Sequence, residues 1–138
     1  MNAPDLDNPL TSPFWIAASE DRLSLPHCES CERFVWYPQP HCANCGAGLS
    51  WKDVSGGATL AGFSIVERPL FPAFAKWAPY IVALVSIDEQ PDVRLVSQIV
   101  DCNRQQLSCD MRLQVTFREL EVDGGVFYKA PLFEPAGV

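Results

Sequence analysis

Two Cys-x-x-Cys pairs, Cys28 with Cys31 and Cys42 with Cys45, constrain this chain more than any other feature of its sequence. A Cys-x-x-Cys turn brings two thiolates to nearly the separation that tetrahedral coordination requires and aims backbone N–H groups at the sulfurs. Two such turns complete a shell with metal–sulfur distances of about 2.3 Å. Gly46, directly after the second pair, suits the left-handed turn that closes a knuckle. The ten residues between the pairs, ERFVWYPQPH, allow one short strand out and a return, so the region reads as a zinc ribbon with Zn2+ as its expected ion. Two other readings stay open. The same thiolates suit the iron of a rubredoxin-like site, and the pairs could be redox dithiols, although a redox Cys-x-x-Cys is usually single and opens a helix. A four-thiolate zinc shell is closed to water and substrate, so it organises a fold without doing chemistry. His27 and His41 each precede a knuckle cysteine and read as surface histidines beside the site. Cys102 and Cys109 read as spare buried thiols without a role.

The balance of 10 basic against 17 acidic residues gives a net charge of −7, which opposes binding to nucleic acid or anionic membrane. The start, MNAPDLDNPLTSPFW, lacks the positive charge and apolar run of a signal peptide. The longest apolar stretch, YIVALVSI, is far short of the ~20 residues of a membrane helix. The expected location is the cytoplasm, where paired cysteines more often hold metal than form disulfides.

At 138 residues, the chain is one domain or two very small modules. Residues 1–22 read as a loose tail and a helix capped by Ser12, with Pro13 first and Phe14, Trp15 and Ala18 on one face, ending near Asp21. Phe14 and Trp15 are expected to pack on the chain's own body or on a partner protein, and they are the candidate interface residues. Residues 23–53 form the ribbon, and 54–138 read as a β module with strands near 58–66, 80–87, 93–100, 111–118 and 126–129. The turns are DEQPD at 88–92 and DGG at 123–125, and DCNRQQLSCD reads as one short helical turn. Five strands with a small helix between the third and fourth is the layout of an OB-fold barrel. The predicted fold class is therefore mainly β: a helix, a zinc ribbon and a five-stranded barrel. No nucleophile elbow, phosphate loop or His-Glu-x-x-His helix occurs, and Glu119 and Glu121 alternate along a strand as a solvated face does. A binding or accessory role is expected, with no activity of the chain alone.

The order of these pieces resembles a known family, the rubredoxin-like zinc ribbon plus OB-fold proteins long catalogued as a domain of unknown function. The likeness runs from about Pro13 to Phe133. It is carried by the Phe-Trp helix, the knuckles with FVWYPQPHCANCG, SGGATL leading into the first barrel strand, PYIVALVSID, and DCNRQQLSCDMRLQVTF. The family commonly has glycine in the turn before the fourth strand, where this chain has Cys109, Asp110 and Met111. The resemblance implies a small non-catalytic protein of acyl-CoA metabolism. Its implied partners are a thiolase-like or enoyl-CoA-hydratase-like protein and an acyl-CoA, in a hetero-oligomeric aldolase, lyase or acyltransferase, for instance in steroid side-chain degradation. Of the family's functional residues, only the four zinc cysteines carry over. In the long connection ERPLFPAFAKWAPY, Arg68, Phe71, Phe74, Lys76 and Trp77 combine cations with aromatic surface, as a CoA site would, and equally as loop packing or a protein interface would. The alternative functions are a single-strand nucleic-acid binder, which the charge opposes, and an iron electron carrier.

Overall fold

The computed structural model describes residues 6–68, 78–122 and 126–136. Helix α1 spans Ser12–Ser19. Ser12 lies inside it and Thr11 takes the cap position, without a side-chain bond to the helix. The Asn8 carbonyl accepts the amides of Thr11 and Ser12 at 3.0 and 2.7 Å; of the donors a cap side chain would serve, Pro13 has no N–H and the Phe14 amide donates to Thr11 O at 3.0 Å. The helix stops in a Schellman arrangement: the Arg22 amide donates to Ala17 O and the Asp21 amide to Ala18 O, with Asp21 at φ 61.

The ribbon sheet has the order β2-β1-β3, with β1 Leu23–Cys28, β2 Arg33–Phe34 and β3 Ser50–Val54, all antiparallel. Central β1 is covered on both sides, and each of its residues is buried. His27 is thus part of the interior, 5% exposed and edge-on to the Phe34 ring, contrary to the surface position expected from sequence. His41 is exposed, as expected.

The barrel comprises β4 Gly57–Val66, β5 Tyr80–Ile87, β6 Arg94–Ile99, β7 Arg112–Val122 and β8 Val126–Pro135, closed in the order β4-β5-β6-β8-β7. Along β5, buried and half-buried residues alternate, the period of a strand with one face in a core. β6 and β8 run parallel, in register at Ile99 and Phe133. The last two strands run further than predicted, because they pair over their whole length from Leu113–Pro135 to Val122–Val126. The short helical turn between β6 and β7 is a 3-10 turn, Arg104–Gln106, closed by a capping box between Asn103 and Gln106. In the turn before β7, Asp110 adopts φ 72, a conformation that Asp tolerates better than most residues. Cys109 is exposed and Cys102 half-buried, so only one of the two approaches the expected buried thiol.

One buried apolar cluster runs through all three parts. It joins Phe14 of α1 and Leu23, Leu25 and Phe34 of the ribbon to Leu60, Val85, Leu113 and Phe133 of the barrel. A ribbon this short cannot bury a core alone, and here it borrows the barrel's.

Candidate metal centre

Each knuckle ends on a left-handed residue directly after its second cysteine, Glu32 at φ 54 and Gly46 at φ 77. That turn folds the chain back so both sulfurs of a pair point inward. In the first knuckle, the Cys31 amide donates to Cys28 Sγ at 3.3 Å; in the second, Gly46 N–H donates to Cys42 O at 2.8 Å. The four Sγ atoms lie within 4.8 Å of one another. Across the two knuckles, Cys28 Sγ–Cys45 Sγ is 3.5 Å and Cys31 Sγ–Cys42 Sγ is 3.9 Å. A tetrahedron with ~2.3 Å metal–sulfur bonds has sulfur–sulfur edges of about 3.8 Å, so the cluster has the size of a zinc shell. The same separations are far beyond a ~2.05 Å disulfide bond, and all four cysteines are free thiols.

The electrostatics agree with that geometry. Amide donation from Cys45, then from Asn44, draws the Cys42 thiol down to about 7. The Ala47 amide pulls Cys45 downward as well, but the sulfurs of Cys28, Cys31 and Cys42, together with burial, outweigh it and push that thiol up to about 12. Four crowded sulfurs cannot all ionise without a cation among them, and a dication supplies the missing charge. Asn44 adds a side-chain N–H to Cys31 Sγ at 3.4 Å, of the kind that orients a metal-bound thiolate. Bound there, Zn2+ would cross-link the two knuckles.

Of the other candidate residues, Phe14 is 9% exposed and packs on Trp15 and Trp36 at ring separations of 4.9 and 5.3 Å. Trp15 is half-buried and meets the Tyr128 ring edge-on at 5.5 Å. The large apolar residue that α1 shows to solvent is Ile16, 56% exposed. Phe14, Trp15 and Trp36 line an apolar groove of about 390 Å³ together with residues of β5, β6, β7 and β8. Exposed Val96 stands at its edge. Arg68 is exposed just after β4; Phe71, Phe74, Lys76 and Trp77 lie outside the described residues. No helix among the described residues is long and apolar enough to cross a membrane.

Sequence reasoning treated DEQPD as a plain reversal, yet its side chains reach back to the ribbon, to the link between β3 and β4, and to β7. Gln90 holds both backbone groups of Phe34, Asp92 pairs with Arg33, and Glu89 accepts the Ser55 amide at 2.6 Å. Asp88 pairs with Arg112, the guanidinium holding its carboxyl below the usual range. The signal was the density of side-chain acceptors and donors in a five-residue turn.

Residues 15–50 match the family described as ChsH2, rubredoxin-like zinc ribbon domain, and residues 51–118 the family described as ChsH2, C-terminal OB-fold domain. Among similar proteins, a DUF35 domain-containing scaffold protein of Methanothermobacter thermautotrophicus is 30% identical over 119 residues, covering 82% of this chain and 86% of its own. A probable enoyl-CoA hydratase alpha subunit of Thermomonospora curvata is 29% identical over 126 residues, 89% of this chain; the chain spans only 37% of that relative's length. Among solved structures, one described as an Ltp2-ChsH2(DUF35) aldolase superposes with a TM-score of 0.80 at 27% identity, covering 96% of this chain and 99% of the other. A DUF35 protein of unknown function from Sulfolobus solfataricus shares the fold at a TM-score of 0.63 and 10% identity, over 96% of this chain and 90% of its own. With its rubredoxin-like zinc ribbon and OB-fold barrel, the chain belongs to the ChsH2-type DUF35 family.

Proposed function

We propose that the protein is a non-catalytic accessory subunit of an acyl-CoA enzyme, a thiolase-like aldolase, lyase or acyltransferase, which it helps to assemble in a hetero-oligomer. The observation that carries this reading is the end-to-end likeness to a chain solved as part of an Ltp2-ChsH2(DUF35) aldolase, covering 99% of that chain. The names of the other relatives, a scaffold protein and an enoyl-CoA hydratase subunit, point the same way. The closed tetrathiolate supports it too, because it offers no coordination position for a substrate. A contribution of the 67–80 connection to acyl-CoA binding or channelling, through Arg68 and its neighbours in sequence, is part of the same proposal.

The test is co-expression with the product of each adjacent gene. The expected result is a stable complex, turnover of a CoA thioester by the complex, and none by this chain alone. A neighbour that is fully active by itself and never co-purifies with this protein would overturn the proposal.

A further inference from the structure

The ribbon strand that follows the first knuckle is only two residues long and lies at the outer edge of its sheet, paired on one side with β1. Phe34 therefore has a backbone N–H and C=O facing away from β1, and among the described residues no further strand of that sheet takes them. The side chain of Gln90 takes both: the Phe34 amide donates to Oε1 at 2.8 Å, and Nε2 donates to the Phe34 carbonyl at 2.9 Å. This is the pair of bonds that a neighbouring strand would supply.

Gln90 is itself held on a firm base. The Val93 amide donates to Gln90 O at 2.9 Å, the Ile87 amide donates to Val93 O at 3.2 Å, and Val93 is buried in the shared core. Just beyond the same strand, the Val35 amide donates to Pro26 O of β1 at 2.9 Å. Cys31, Cys42, Asn44, Gln90 and Arg94 all border one cleft of about 770 Å³ between the knuckles and the turn.

We infer that Gln90, carried by the barrel, is a positioning residue for the ribbon's metal site: its amide latches β2 in place and so links metal loading to the joint between ribbon and barrel. A two-residue strand has little stability of its own, so the placement of Cys31, three residues before Phe34, depends on what holds Phe34. Because linkage is reciprocal, a bound metal must also tighten the joint. The inference concerns this chain's own fold and stands apart from the proposed function.

The test uses the full chain, with zinc competed against a chelator of known affinity. Gln90→Leu keeps the side chain's bulk and removes both bonds; Gln90→Glu keeps the acceptor for the Phe34 amide and loses the donor. Asp92→Asn removes a neighbouring exposed ion pair on the same turn and serves as control. Zinc affinity is expected to fall at least about tenfold in Gln90→Leu, by an intermediate factor in Gln90→Glu, and by less than about twofold in Asp92→Asn. The drop in melting temperature on metal removal should be smaller in Gln90→Leu than in the unmodified protein. A folded Gln90→Leu protein with zinc affinity within twofold of the original overturns the inference, as does an equal loss in Asp92→Asn. If Gln90→Leu does not fold, unchanged affinity in Gln90→Glu overturns it.

Discussion

Gly56, in the link between β3 and β4, offers the sharpest test of how ribbon and barrel are joined. Its φ is +90, and a Cβ placed there would stand 2.2 Å from Val115 Cγ1 and 2.9 Å from Gln114 Nε2. Its carbonyl accepts the Val115 amide at 2.9 Å, which ties the link to β7 and keeps the backbone from moving aside. For Gly56→Ala, the left-handed backbone costs about 1–2 kcal/mol. The clash, well inside the ~3.5–4.0 Å of normal carbon contact, adds roughly 1–3 kcal/mol of overpacking. The predicted loss is thus about 2–5 kcal/mol, a large share of the ~5–15 kcal/mol typical of a domain. Urea unfolding at fixed saturating zinc measures it, since zinc binding would otherwise shift the midpoint. In a Val115→Ala background the Cγ1 overlap disappears, and the cost of Gly56→Ala should fall to about 1–2 kcal/mol, close to the backbone term alone. A loss below about 1 kcal/mol in the parent protein, or the same loss in both backgrounds, would refute the reasoning.

Phe14→Ala should cost about 3–5 kcal/mol in thermal or chemical unfolding, because the ring belongs to the shared core. Ile16→Glu, on the exposed side of the same helix, should change stability by less than about 0.5 kcal/mol and, on the accessory-subunit reading, weaken capture of the partner enzyme. Asp88→Asn removes a carboxylate whose folded pKa lies below the ordinary 3.8, owing to its bonds with Arg112. Its stabilising contribution is complete above that value and is lost as pH falls through the folded one. The melting-temperature gap between Asp88→Asn and the unmodified protein should therefore be constant above about pH 5 and close in acid. Cys28→Ser places a poor ligand at a fully buried position, and elemental analysis should find the metal lost together with much of the ribbon's stability.

The knuckle spacing, the alternation of YIVALVSI and the turn residues between apolar runs are local signals, and they predicted the ribbon, the five strands and the 3-10 turn near their observed places. Gly46 was legible for the same reason, since its role depends only on its own backbone. His27 was not. A histidine beside a metal knuckle looks like a surface residue until β2 and β3 close over both sides of β1. The lengths of β7 and β8 also escaped, because they depend on pairing between the two strands.

By itself, the sequence determined the four clustered cysteines, the strand content and the acidic balance, all properties of residue type and spacing along the chain. Only the tertiary structure decided that Phe14 belongs to the interior and that ribbon and barrel share one core. It also decided that Gln90, 56 positions away, supplies the bonds that Phe34 lacks at its strand edge. Those facts arise from which surfaces meet once the chain closes on itself, and burial and hydrogen-bond satisfaction depend on that meeting.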